Sequence, residues 1–132
     1  IVAAITERTK AISVVHFVGI PCDMPAIMGV AEQHGLVVIE DCATAVGTRH
    51  SGKHVGLFGN VGCFSFYPVK HITTGEGGSV MTNDPVIDEK VRRLRNHGIT
   101  KGDSKLKIQH SRLFEALQGN QVQQSTKGYG YD

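Results

Sequence analysis

Residues 39–84 read IEDCATAVGTRHSGKHVGLFGNVGCFSFYPVKHITTGEGGSVMTND. An apolar run, Val37-Val38-Ile39, ends at Glu40-Asp41. A second, Val61 to Phe66, ends at Tyr67-Pro68, and Lys70 follows shortly after the proline. Short apolar runs bounded by turn residues predict buried strands. The pattern therefore gathers an acid (Asp41), a hydroxyl (Ser65) and an amine (Lys70) around two strand ends, with glycines between. Open α/β sheets place ligands beyond the carboxyl ends of their strands.

Upstream, Ile12 to Phe17 is rich in β-branched residues and predicts a buried strand. Asp23 is placed to cap a helix with Pro25 in its first turn. Ile27, Val30 and Ala31 form its apolar stripe and Gly35 closes it. Leu36 to Ile39 is the next strand, apolar on both faces as a parallel sheet requires. Strand, helix and strand make a right-handed crossover unit. Val46 to Gly59 carries glycines and basic residues and reads as a surface loop or short hairpin. Downstream, Ile72 to Gly78 is a glycine-rich turn and Ser79 to Thr82 a short strand. Asp84-Pro85 opens a second helix, with Ile87, Val91 and Leu94 facing inward and Gly98 ending it. The expected division is a domain over residues 1–98 and an irregular segment over 99–132. That segment has a polar loop over 101–107 and a short helix over 111–117. Its last residues, polar and rich in Gln and Gly, are expected to be mobile or to lie in a subunit contact.

Composition narrows the classes. The chain has 132 residues, room for one domain with a modest core. With 40% apolar and 20% charged residues it is globular rather than disordered. A net charge of +2 is too weak to argue for nucleic acid or an anionic membrane. The apolar runs are strand-length, so no transmembrane helix is expected, and the first ten residues lack the order of a signal peptide. Cys22, Cys42 and Cys63 show no CxxC spacing and read as small buried thiols in a reducing, cytoplasmic compartment. The seven histidines are scattered without metal-ligand spacing, so no metal site is expected.

The acid, hydroxyl and amine suit pyridoxal phosphate, whose ring nitrogen wants a carboxylate, whose aldehyde wants an amine and whose phosphate wants hydroxyls. At this point a resemblance appears. SFYPVKHITTGEGG, at 65–78, resembles the lysine segment of the DegT/DnrJ/EryC1/StrS family of pyridoxal-phosphate-dependent nucleotide-sugar aminotransferases. EDCATAVGT, at 40–48, is similar to the family's aspartate segment, and the likeness runs from Thr9 through VHFVG and PCDM to RLRNHG. The resemblance implies the middle of a fold type I (aspartate aminotransferase-like) large domain, a mostly parallel sheet with flanking helices and an antiparallel fourth strand. It implies that residues 1–98 are a partial large domain.

The resemblance also implies roles. Lys70 would form the imine with the cofactor, Asp41 would face the ring nitrogen and Ser65 the phosphate. Thr44 stands near the ring where the family has His or Gln. Without the resemblance, Asp41 is an ordinary turn-capping strand-end acid, Lys70 a solvated loop lysine and Ser65 a strand serine bonded to backbone. Some relatives are dehydratases with histidine at the lysine position; here Lys70 is kept, with His71 beside it. KGYGYD, at 127–132, resembles a family segment whose asparagine reaches the phosphate in the partner subunit, and Gly130 takes that position. The implied function is transfer of an amino group from an amino acid to a keto-sugar nucleotide. The alternative is a truncated, inactive, self-associating domain, since the chain lacks an initiator Met and family members are about three times longer. A homo-oligomer is expected on either reading, because an exposed strand edge invites pairing.

Overall fold

The computed structural model describes residues 1–99. The polar loop at 101–107, the short helix at 111–117 and the KGYGYD segment lie outside them. Two compact units divide the chain, Ile1–Val91 and Arg92–Asp132. The first contains β1 (Ala11–Val15), α1 (Met24–His34), β2 (Val37–Asp41), a hairpin of β3 (Arg49–His50) and β4 (Lys53–His54), β5 (Val61–Ser65) and β6 (Gly78–Met81). The helix α2 spans Pro85–Leu94.

The main sheet has the order β1-β2-β5-β6. β1, β2 and β5 run parallel, and β6 pairs antiparallel to β5 with Ser65 opposite Gly78. The antiparallel sense of this last strand was expected. β2 extends further than the apolar run suggested: Glu40 and Asp41 pair with Val14 and Val15 and lie inside the strand. β1 stops sooner than expected, because Val18 adopts the left-handed region at φ 48° and turns the chain after His16. The 46–59 segment holds the hairpin, turned by Ser51 and Gly52, both at positive φ as a tight I′-type turn requires.

Local chemistry explains the helix between β1 and β2. Asp23 Oδ1 accepts the Ala26 N–H at 3.3 Å, a cap that contributes roughly 1 kcal/mol. Pro25 sits in the first turn, and Gly35 ends the helix in the left-handed conformation. Met24, Ile27 and Ala31 of α1 pack on Ile12, Val14 and Val38. A second cluster, Cys42, Ala45, Val55 and Phe64, continues the same side of the sheet. Since side chains alternate along a strand, one face (Ile12, Val14, Val38, Glu40, Gly62, Phe64) is buried. The other face presents Val15, Val37, Ile39, Asp41, Cys63, Ser65 and Val80, all exposed or half-buried; Val15 is 50% exposed.

Asp84 Oδ1 accepts from the N–H groups of Val86 and Ile87 at 2.8 and 3.3 Å and so caps α2. Ile87 and Val91 are half-buried, while Leu94, expected to face inward with them, is exposed. Gly98 N–H closes on Arg93 O at 2.9 Å after the helix.

Candidate active site at the carboxyl ends of β2 and β5

Asp41 is the last residue of β2 and pairs with Cys63 of β5, so both side chains leave the same face of the sheet. Ser65, two positions on from Cys63, shares that face. The register thus sets Asp41 and Ser65 at adjacent parallel strand ends on the open side, with Cys63 between them. Asp41 Oδ1 accepts the Ala43 N–H at 2.9 Å, and Oδ2 takes no hydrogen bond among the described residues. Ser65 Oγ accepts the Tyr67 N–H at 3.4 Å, which leaves its proton available.

Lys70 stands on the turn that leaves β5. Its N–H donates to Tyr67 O at 2.9 Å, and Thr74 N–H and Thr73 Oγ1 fold the following residues back onto Phe66 O. The side chain is half-buried and its ammonium has no ion pair or hydrogen bond among the described residues. His71 is exposed.

Thr44, expected near the ring, has its hydroxyl engaged by backbone. Its Oγ1 accepts the Val18 N–H at 3.1 Å and donates to His16 O at 3.4 Å. Thr48 makes a parallel contact, donating to Gly19 O at 3.1 Å. Both threonines therefore hold the turn after β1 against the segment after β2.

Two residues that sequence reasoning passed over lie beneath this surface. Glu40 and His16 are fully buried, on the covered face. His16 Nδ1 accepts the Cys22 N–H at 3.1 Å, which puts the ring proton on Nε2; from there it donates to Glu40 Oε2 at 3.0 Å. Glu40 also accepts the Gly56 N–H on Oε2 at 2.7 Å and the Gly59 N–H on Oε1 at 2.6 Å. The only sequence signal for this was an acid ending an apolar run and a histidine directly after Val14-Val15. Cys42 Sγ joins them, its potential ligand atoms and theirs lying within 4.8 Å of one another. The grouping is a hydrogen-bond network rather than a metal centre. Both imidazole nitrogens and both carboxylate oxygens already have partners, and burial, with Glu40, Asp41 and Cys63 adding to it, pushes the Cys42 thiol up to about 12.

Burial first, and Asp41 second, also raises the Cys63 thiol. Cys42 should be the last of the three cysteines to be alkylated at pH 8, where a thiol near 12 is roughly one part in ten thousand thiolate. Peptide mapping after timed iodoacetamide treatment checks this; Cys42 reacting at the rate of Cys22 contradicts it. Because the folded value lies above the ordinary thiol value of 9.0, the buried thiol contributes stability that is complete below pH 9 and is lost as pH rises towards 12.

A separate cleft of about 420 Å³, lined by Ile5, Thr9, Lys10, His34 and Leu36, opens at the other end of β1 and β2 and has no part in this arrangement.

Residues 1–125 match the DegT/DnrJ/EryC1/StrS aminotransferase family. The chain belongs to that family. It is 57% identical over 97 residues to a UDP-N-acetyl-3-dehydro-alpha-D-glucosamine 3-aminotransferase of Acidithiobacillus ferrooxidans, covering 73% of this chain and 26% of the relative. Among solved structures, the aminotransferase from Psychrobacter cryohalolentis superposes with a TM-score of 0.73 at 46% identity, over 76% of this chain and 26% of that one. The E. coli GDP-4-keto-6-deoxy-D-mannose-3-dehydratase with bound hydrated PLP superposes at 0.70 with 33% identity, over 76% and 26% of the two chains. The chain thus spans about a quarter of the length of the relatives it matches. The fold is that of the fold type I pyridoxal-phosphate enzymes, a mixed α/β layer with a mostly parallel sheet. No helix among the described residues is long and apolar enough to cross a membrane.

Proposed function

We propose that this chain is the part of a pyridoxal-phosphate-dependent aminotransferase that holds the cofactor ring and supplies the imine-forming lysine. Its substrates would be an amino-acid donor and a keto-sugar nucleotide. The observation that carries the reading is the placement of Asp41 and Ser65 on one open face at neighbouring parallel strand ends, with Lys70 on the turn leaving Ser65. Among the described residues three free functions fit the group: a carboxylate oxygen without a partner, a hydroxyl with its proton to give, and an unpaired amine.

When bound, pyridoxal phosphate supplies the electron sink into which a substrate C–H electron pair can be drawn. The protein's contribution is binding, orientation and proton handling. Asp41 would accept a hydrogen bond from the protonated ring nitrogen and keep the proton there, since a carboxylate at hydrogen-bond distance favours the charged ring. Ser65 would donate its hydroxyl proton to a phosphate oxygen, a charge-assisted bond contributing about 1.5–3 kcal/mol. Lys70 Nζ would hold the cofactor at its aldehyde carbon and, once released, carry a proton between substrate and cofactor as general base and acid. Thr44 would act through the turn that it ties down rather than by stacking on the ring.

The test is direct. The purified chain is incubated with pyridoxal phosphate, its visible spectrum recorded, and the product reduced with borohydride and mapped. A band accompanied by modification at Lys70 supports the reading. Modification scattered over surface lysines, with none enriched at Lys70, overturns it.

Self-association belongs to the same proposal. Among the described residues β1 is an edge strand of the sheet, and Val15, Val37 and Val80 lie exposed on the sheet's open face. Light scattering at micromolar concentration should give more than one chain per particle. A clean monomer removes this part.

A further inference from the structure

We propose that Glu40 and His16 form a buried positioning clasp for the strand end that bears Asp41. Its consequence for the cofactor rests on the reading given above, but the clasp itself is a property of the chain alone.

Two segments meet at the Glu40 carboxylate of β2. The end of β1 arrives through His16 Nε2, and the loop entering β5 arrives through the N–H groups of Gly56 and Gly59. Both carboxylate oxygens accept, and each hydrogen-bond partner is an N–H donor; that is the pattern of an ionised carboxylate. Since His16 accepts from Cys22 on Nδ1, its ring is neutral and the pair keeps one net negative charge in the interior. A buried anion with fewer donors than this would carry a heavy desolvation cost. The three donors offset it, so the anion, its donors and the segments that carry them are held as one unit.

Asp41 is the next residue, directed to the opposite face. Its own backbone is fixed by the same segments: His16 N–H donates to Asp41 O at 3.0 Å, and Cys42 N–H donates to Cys63 O at 2.8 Å. The His16 ring and the His16 N–H thus grip consecutive residues of β2. Glu40 is therefore a positioning residue, fixing where the Asp41 carboxylate points. It also places a second negative charge one residue from Asp41, which favours a cationic ring on the open side.

The pair is tested with the full 132-residue chain, ¹⁵N-labelled, as wild type and as Glu40→Gln. Glutamine keeps the shape but offers an NH2 group to at least one of the three N–H donors. Amide exchange at His16, Cys42, Gly56 and Gly59 should accelerate by about tenfold or more, with Ala31 of α1 unchanged as the internal reference. The wild-type imidazole should show a protonated Nε2 and a bare Nδ1, and this signature should blur in the variant. A space-filling role for Glu40 would move neither reading, and unchanged exchange and ring spectra overturn the clasp. If Glu40→Gln does not fold, the wild-type ring spectrum decides: a doubly protonated His16, or one protonated on Nδ1, overturns it and an Nε2–H tautomer supports it. Pyridoxal phosphate affinity is measured on the same samples. A roughly tenfold weakening in the variant supports the positioning role, and unchanged affinity overturns it. A wild-type chain that binds no pyridoxal phosphate ends the cofactor reading, while the exchange data still decide the clasp.

Discussion

A Lys70→Ala chain is expected to lose its site-specific pyridoxal phosphate adduct completely. Borohydride should fix no mass on the peptide that contains the 66–78 turn, and the visible band of the wild type should vanish. The backbone at Lys70 is closed by the Tyr67 carbonyl, and its half-buried side chain rises from the turn that directly follows Ser65. An amine there can condense with an aldehyde whose phosphate is held at Ser65 and whose ring faces Asp41. Holding the reactants together in this way gives an intramolecular amine a large advantage over a free one. Surface lysines also condense weakly with aldehydes, so the background matters. Lys53 lies with Nζ 4.7 Å from the Phe58 ring centre in the hairpin, and Lys10 lines the cleft at the opposite end of β1. Modification at those two should be the same in parent and variant. If the variant keeps the parent's band and adduct pattern, Lys70 is an ordinary loop lysine, and the aligned Asp41 and Ser65 serve something other than this cofactor.

The parts of this arrangement that were legible in the sequence share one property: each was written in neighbouring residues. Asp23 with Pro25 and Gly35 announced both ends of α1, because caps and left-handed closures act within one turn of helix. The strands around Val38 and Phe64 followed from unbroken apolar runs. Long, ordered similarity in the two segments carrying Asp41 and Lys70 pointed to the family. What stayed hidden depends on pairs distant in the chain. Glu40 looked like the polar end of a strand. Only the β1–β2 register and the return of the loop at Gly56 and Gly59 make it an interior residue with three donors. His16 was one of seven scattered histidines, and its partners lie at Cys22 and Glu40. Thr44 was read by its place in a motif, as a neighbour of the cofactor ring. Its hydroxyl bonds to Val18 and His16, where a valine in the left-handed region needs its N–H held, and nothing in the sequence signalled that pairing.

A Gly62→Ala chain is expected to be destabilised by about 3 kcal/mol, the upper end of the cost of overpacking a core, and a marginal domain could lose its fold altogether. A methyl group built on Gly62 would lie 2.4 Å from both Cα and O of Gly56. Those are backbone atoms, so no rotamer change relieves the contact. Gly56 has no room to retreat: its φ is +86°, its N–H is held by Glu40, and its own Cβ position is 2.8 Å from the Phe64 ring. The loop would have to leave the sheet and would take two of Glu40's three donors with it. The same substitution at Gly29 in α1 is the control, because nothing lies within 4 Å of the added methyl. There alanine should raise stability by roughly 0.5–1 kcal/mol through helix propensity. Urea unfolding followed by circular dichroism measures both. Opposite signs are expected from one chemical change, and a Gly62→Ala loss below about 0.5 kcal/mol would refute the packing argument. The site would register the damage as well. Gly62 pairs with Glu40, and the next pair in that register is Cys63 with Asp41. A shift of β5 that accommodates the methyl therefore moves Ser65 relative to Asp41, and pyridoxal phosphate binding should fall together with stability rather than independently of it.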